Sequence, residues 1–365
     1  MPSTDPQRPD GPGPERSAPR RSLVTGGAGF IGSHLVRVLL ARGDAVTVVD
    51  DLSTGRQANL PEHASLRFVR SDLGEALAGV LRAEAFEEVY HLAAAVGVQL
   101  VMDRPIESIR TNVLQTDTLL RFVAERCPDA RVLIASSSEV YGKSERTPFR
   151  EDDDLVLGPT SKARWSYACS KAIDEHLALA YADRSGMRVV VARFFNTVGP
   201  GQLGQYGMVL PRFVADALAG RELTVHGDGS QSRCFCDVRD VVVAVEGLLA
   251  PANIERTRGR VFNIGADTLI TIADLARLVI RTLASTSGVR HVAYEQVFGQ
   301  RFEDLHRRQP DLTRIGHAIG WKPTIDLART IRDLARTMGW VGGGADGVDV
   351  VVSAALSPAA REPLP

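Results

Sequence analysis

At 365 residues, 44% apolar and 24% charged, the chain has ordinary globular composition and enough length for one large domain or two smaller ones, which excludes a disordered protein. A net charge of −1 gives no attraction to nucleic acid or to an anionic membrane. Four cysteines do not make a disulfide framework, no apolar run reaches the roughly 18 residues of a membrane span, and the N-terminus lacks the apolar core of a secretory signal, so the chain reads as cytoplasmic.

Residues 1–20 hold six prolines and little to bury, and read as a disordered tail. Order begins with a strand at Arg21–Thr25, then Gly26-Gly-Ala-Gly29-Phe30-Ile31-Gly32, then an amphipathic helix over Ser33–Arg42 closed by Gly43. A second buried strand, Ala45–Val49, ends in Asp50-Asp51. Glycines after a strand, opening a helix and standing about 20 residues before an acid, form the dinucleotide fingerprint. Its glycines give the tight turn, the backbone approach to a pyrophosphate and close helix–strand packing, with the first helical amides facing the phosphates. Asp50 would accept hydrogen bonds from the adenosine ribose and repel a 2′-phosphate, favouring NAD over NADP; Arg56 weighs mildly the other way.

Leu66–Val69 is a strand leading to Ser71-Asp72-Leu73, where Asp72 could contact the adenine. The strand Glu88–Leu92 runs into Ala93-Ala94-Ala95, small enough to let a cofactor approach, while His91 reads as structural rather than catalytic. The candidate cofactor contacts are thus Gly26, Gly29, Phe30, Ile31, Gly32, Asp50, Asp51, Asp72, Leu73, Leu92, Ala93 and Ala94, joined further on by Tyr167 and Lys171.

Thr111–Arg126 is a helix and Arg131–Ala135 a buried strand, whose carboxyl end carries Ser137-Ser138-Glu139 where open α/β sheets place ligands. The helical stretch Trp165–Ala182 puts Tyr167 and Lys171 one turn apart on a single face. An ammonium beside a phenol favours the phenolate and lowers its pKa, giving a base for a sugar hydroxyl. A further strand lies at Met187–Ala192, and alternation at this spacing means a doubly wound parallel sheet.

Beyond Asn196 the texture changes, with Gly and Pro crowded through Gly207. Short elements follow: helix Val209–Ala219, strand Leu223–His226, helix Val238–Leu249, strand Val261–Ile264 and helix Ile272–Leu283, which Thr271 can cap. Cys234-Phe-Cys236 is too tightly spaced for a zinc site and has no second pair, so no metal is expected. The expected fold is α/β, a doubly wound parallel Rossmann sheet with a smaller α/β substrate-binding lobe. Residues 21–198 and 236–265 would form the NAD-binding domain, 199–235 and 266–340 the second, substrate-binding lobe closing over the cofactor, and 341–365 a flexible Gly/Ala/Pro tail.

With the glycine loop, Asp50, Ser137-Ser138-Glu139 and Tyr167/Lys171 assembled, residues 21–337 resemble the extended short-chain dehydrogenase/reductase family acting on nucleotide sugars. Within it, Ser136-Ser-Ser-Glu-Val-Tyr-Gly142, Lys162-Ala-Arg164-Trp-Ser-Tyr167, Gln231-Ser-Arg233-Cys-Phe-Cys-Asp-Val-Arg239 and Phe302-Glu-Asp-Leu-His-Arg-Arg308-Gln-Pro-Asp311 are most similar to UDP-glucuronate decarboxylases, including UDP-xylose synthases. The segment Ala93–Leu100 is more similar to 4-epimerases, and the aromatic usual before Val238 is replaced by Asp237.

The resemblance implies NAD as cofactor and a UDP-sugar as substrate. Tyr167 would be the base at the sugar C4 hydroxyl, supported by Lys171 and Ser137, with Ser138 and Glu139 at the C5 side. Arg308 would hold the carboxylate or return a proton, and Arg164, Asn196, Arg212 and Arg233 would hold the sugar or its diphosphate. The implied reaction is decarboxylation through a 4-ketone to UDP-xylose or its 4-keto form, in a homodimer. A 4-epimerase would share the first oxidation, and a 4,6-dehydratase also fits Ser138-Glu139. From another class, an NAD-binding scaffold would keep the glycine loop without turnover.

Overall fold

The computed structural model describes residues 18–95, 103–204, 208–293 and 307–342. Most of both expected tails, residues 96–100 of the epimerase-like segment, the Gly-rich residues 205–207 and the start of the Phe302–Asp311 motif lie outside the described residues.

The chain alternates from its start: β1 (Arg21–Thr25), α1 (Phe30–Ala41), β2 (Ala45–Asp50), β3 (Leu66–Arg70), α2 (Leu73–Ala78), β4 (Glu88–His91), α3 (Pro105–Arg126), β5 (Arg131–Ser137), α4 (Arg164–Ser185) and β6 (Arg188–Phe194). Shorter elements follow: β7 (Thr197–Val198), α5 (Val209–Leu218), β8 (Leu223–His226), β9 (Ser232–Cys234), β10 (Cys236–Asp237), α6 (Val238–Leu249), α7 (Ile254–Thr257) and β11 (Arg260–Ile264). The described chain ends through β12 (Leu269–Thr271), α8 (Ile272–Thr282), β13 (Val289–Val292), β14 (Arg307–Arg308), α9 (Thr313–Ile319) and α10 (Leu327–Thr337).

Seven strands form one sheet in the order β3-β2-β1-β4-β5-β6-β11. Every pairing in it is parallel. The strand order reverses direction between β1 and β4, the place where doubly wound sheets open a crevice at their carboxyl ends.

Successive side chains of a strand face opposite ways, so β1 feeds two cores. Val24 packs with Leu35, Leu39, Val48, Val241 and Phe262 under α1 and α6. Leu23 packs with Val49, Leu119, Val123, Val132 and Ile134 under α2, α3 and α4. A third core unites α5, β8, α8 and α10 through Leu210, Phe213, Val225, Leu275, Val279, Ile331 and Leu334. Ile315 and Ala318 of α9 pack instead with the α1–α6 core.

Thr271 caps α8 by accepting from the Asp274 amide at 3.0 Å. Helix α3 starts at Pro105, earlier than the apolar period indicates, because proline is preorganised for a first helical turn.

Beneath the sheet, Glu88 is fully buried at the start of β4 and gathers Arg42, Arg20 at 3.0 Å, Arg131 at 2.7 Å and the Tyr90 hydroxyl at 2.8 Å. Burial pushes this carboxyl up, and the hydrogen bonds from Arg131 and Arg42 outweigh it, so its pKa falls below the ordinary value.

Candidate active site

Strand β1 ends where the glycine loop begins. Gly26 adopts a φ of +70°, and a Cβ there would lie 2.7 Å from the Ala93 amide nitrogen. A side chain at Gly32 would strike the Gly26 carbonyl at 2.2 Å, so this glycine lets α1 sit against the turn. Phe30 and Ile31 form the first turn of α1, where amides have no intrahelical partner and attract anions. Asp50 is buried, and its carboxylate accepts from the loop amide of Ala28 at 3.0 Å and from Leu52 at 2.8 Å. Its pKa is raised by burial, against those two hydrogen bonds. Leu92, Ala93 and Ala94 line the other side of the switch point, with the Ala93 amide donating to Thr25 Oγ1 at 3.2 Å. A cradle that a single Cβ would fill, open helical amides and an acid at the end of β2 fit a dinucleotide.

Two of the expected adenosine contacts serve local turns. Asp51 is exposed and accepts from the Ser53 amide. Asp72 caps α2 through Gly74 and receives the Gln115 amide at 2.8 Å, while Leu73 is buried in the core.

On the next strand, Ser137 ends β5 and Ser138–Tyr141 forms a tight 3-10 turn. Ser137 Oγ accepts from the Glu139 amide at 3.2 Å, and its hydroxyl favours the Tyr167 phenolate. The turn is held from behind. Tyr141 stacks on Phe149 with centroids 4.6 Å apart, its ring lies under the Arg193 guanidinium, and its hydroxyl donates to Asn263 at 2.7 Å. Arg193 pairs with Glu175 of α4 through Nε at 2.8 Å and a second nitrogen at 2.6 Å, and Glu175 also receives the Ser136 hydroxyl. The pair Glu175–Arg193 joins residues 18 apart on different elements, so no local spacing announces it.

Glu139 is the meeting point of three arginines. Arg308 Nη1 lies 2.6 Å from one oxygen and Arg164 Nη2 3.6 Å from the other. Arg233 adds its charge from β9, where it stands directly beside Arg308 in the ladder with β14. Arg164 and Arg308 are buried, an arrangement unfavourable for cations unless anions face them. Burial raises the Glu139 pKa; the charges of Arg308 and then Arg164 reverse this and hold the carboxyl below its usual range. Ser138 is buried within the turn.

Tyr167 and Lys171 share one face of α4, but the expected ammonium-assisted lowering of the phenol is corrected by the structure. Burial, then the charge of Glu139, push the phenol above its ordinary value, and the Ser137 hydroxyl lowers it only in part. The reason is local: Lys171 Nζ is paired with Asp174 Oδ2 at 2.8 Å, and both side chains are buried. Sequence reasoning had not included Asp174, although an acid three residues after a lysine is a helical ion-pair spacing.

The remaining candidates lie further out. Asn196 donates to the Cys234 carbonyl at 3.0 Å and so ties β7 to β9. Arg212 bonds the Thr224 carbonyl at 3.0 Å beside His226, in the lobe of α5 and β8 rather than at the Glu139 cluster. His91 is fully enclosed, with Thr25 at 2.7 Å and Thr116 at 3.1 Å on its two ring nitrogens; burial and the charge of Lys171 lower its pKa to about 3. No group of acids, histidines and cysteines suited to a metal occurs among the described residues, and none of the helices there is long and apolar enough to cross a membrane.

The model of the NAD dependent epimerase/dehydratase family matches residues 22–265. The chain belongs to that family. Members similar to it include the UDP-N-acetyl-alpha-D-glucosaminuronate decarboxylase of Bacillus cytotoxicus, 37% identical over 322 residues that cover 86% of this chain and 96% of that protein. The UDP-glucuronic acid decarboxylase 1 of Danio rerio is 35% identical over 84% of this chain and 70% of its own length. Among solved structures, the UDP-N-acetylglucosamine 4-epimerase of Methanobrevibacter ruminantium in complex with UDP-N-acetylmuramic acid superposes with a TM-score of 0.77, at 28% identity over 88% of this chain and 98% of that one. The dTDP-glucose 4,6-dehydratase DesIV of Streptomyces venezuelae, with NAD bound, gives 0.76 at 31% identity over 87% and 97%. The family's cofactor is NAD, and the glycine cradle described above fits it.

Proposed function

We propose that this family member decarboxylates a UDP-hexuronate, UDP-glucuronate in the first instance, through a 4-ketone. The observation that carries the reading is the convergence of Arg164, Arg233 and Arg308 on Glu139: guanidinium groups gathered there suit a carboxylate on the sugar in addition to the diphosphate that every UDP-sugar carries. The names of the curated relatives support the same reading.

When bound, NAD supplies the hydride acceptor for the sugar C4, returns that hydride at the end, and brings a positive charge that favours the phenolate. Tyr167, oriented by Ser137, takes the C4 hydroxyl proton. With C4 oxidised, the carboxylate on C5 belongs to a β-keto acid, and its C–C bond electrons flow into the carbonyl as CO₂ leaves. Protonated Tyr167 and Ser137 then donate to the enolate oxygen. Arg308 orients the carboxylate before it departs, and C5 takes its proton from solvent on the side where CO₂ left, next to the Glu139–Arg308 pair. Tyr167 finally returns its proton to the C4 oxygen. Arg164 and Arg233 hold the diphosphate end or the carboxylate in place. Domain boundaries at residues 198/199, 235/236 and 265/266 suit this division of labour between cofactor and sugar.

A second substrate has a specific claim, since the N-acetylated glucosaminuronate enzyme aligns over nearly its whole length. Incubating the protein with NAD and each UDP-hexuronate in turn, and weighing the products by mass spectrometry, tests both. Loss of CO₂ supports decarboxylation and the faster substrate names the sugar; unchanged mass points to epimerisation, and loss of water to dehydration.

The reading extends to a homodimer. Ile106, Ile109 and Leu114 of α3 and Ile173 of α4 are exposed apolar side chains on two helices packed against each other. All four cysteines are free thiols, which suits the cytoplasm.

A further inference from the structure

Lys171 and Asp174 form an ion pair at 2.8 Å inside the protein, with the lysine 2% and the aspartate 0% exposed. Such a pair stabilises a fold little better than apolar residues of the same volume, because both charges lose their water. Its position suggests another use. The pair lies on α4 between the Tyr167 base and the floor formed by Thr116 of α3 and His91 of β4.

We propose that Asp174 is a positioning residue that anchors the Lys171 ammonium on its own carboxylate and so withholds that charge from the Tyr167 phenol. The inference rests on Tyr167 serving as the base in the reaction proposed above. An ammonium paired with a carboxylate assists a neighbouring phenolate less than a free one. Asp174 thereby keeps the phenol protonated until a bound cationic cofactor adds the missing charge, which ties formation of the base to occupancy of the site.

Among the described residues, the charged and titratable groups facing the pair are few. From α4 itself come Tyr167 and Glu175; Glu175 is already committed to Arg193. From β4 comes His91, neutral near pH 7 because burial, with the charge of Lys171, has lowered its pKa to about 3. From the turn after β5 comes Glu139, which acts on Tyr167 and is itself paired with Arg308. From α3 come only the uncharged Asn112 and Thr116, the former bonded to Ser170 at 3.0 Å. Asp174 is thus the anion that balances Lys171.

The test is a pH titration of the six tyrosines labelled at Cζ and followed by ¹³C NMR, with Tyr167 assigned through Tyr167→Phe, in NAD-free and NAD-loaded protein. In Asp174→Asn the Tyr167 titration should move about one unit to lower pH, the size expected for an uncovered opposite charge. The acidic limb of the kcat profile should move with it, and Asp174→Glu should restore the wild-type position. Asp174→Ala, which keeps helix propensity, replaces the asparagine variant if that one does not fold. In a Lys171→Met background, Asp174→Asn should move the phenol by far less. An unmoved titration in folded Asp174→Asn and Asp174→Ala would overturn the proposal, as would a full shift that persists without Lys171. The NMR arm needs no sugar, so its outcome stands apart from whether any uronate is decarboxylated.

Discussion

Tyr167 sits between opposing forces: burial and the Glu139 charge hold its proton on, while Ser137 favours release. Replacing it by phenylalanine removes the hydroxyl and little else, since the ring is carried by α4. We expect Tyr167→Phe to lower kcat by about 10²–10⁴-fold, the usual worth of a positioned acid–base group, with NAD affinity changed less than about threefold as measured by fluorescence quenching. Loss of cofactor binding in that variant would contradict its role as base. The spacing of Tyr167 and Lys171 was legible because four residues make one turn. The counter-charge was half legible: Asp174 has the right spacing, but only the fold reveals that it is buried and facing Lys171 rather than solvent.

Elements explain which parts of the chain announce themselves. The sheet strands β1, β2, β5 and β6 are runs of Val, Ile, Leu and Ala covered on both faces, so sequence marks them plainly. The strands β12, β13 and β14 are two to four residues long, and the first two are half exposed; they exist because distant partners such as β8 and β9 offer an edge. Helix α10 does carry a readable period in Leu327, Ile331, Leu334 and Met338.

At this scale the Glu88 cluster makes a pH prediction. Its folded pKa is lowered, so its contribution is complete above the unfolded value of roughly 4.3 and fades as pH falls through the folded value. Glu88→Gln leaves three arginines facing a neutral amide and should cost about 3 kcal/mol at pH 7, read from urea unfolding. The loss should shrink as the pH is taken below the unfolded value. A deficit that stays constant to pH 3 would show that the carboxylate charge is not what matters.

For the molecule as a whole, the seven-stranded sheet places the glycine loop, the Ser137 turn and the Ala93 segment at one carboxyl edge, while the arginines arrive from elsewhere: Arg164 at the start of α4, Arg233 and Arg308 on paired strands 75 residues apart in sequence. That convergence was visible beforehand only through family resemblance, because ladder pairing of β9 with β14 depends on tertiary packing. The apolar outer faces of α3 and α4 carry the remaining prediction at this scale. Sedimentation equilibrium should give twice the chain mass, and Ile109→Glu with Ile173→Glu should give a folded monomer; an unaltered dimer in the double variant would place the interface elsewhere.

The central claim is that a ketone at C4 loosens the bond to the sugar carboxylate. The most direct measurement is the reaction of UDP-glucuronate labelled with ¹³C in its carboxylate, run in deuterated water with NAD and the wild-type protein. The account predicts release of labelled CO₂ together with one solvent deuterium at C5 of the pentose product. Retention of the label in a sugar that has nevertheless been turned over would contradict it.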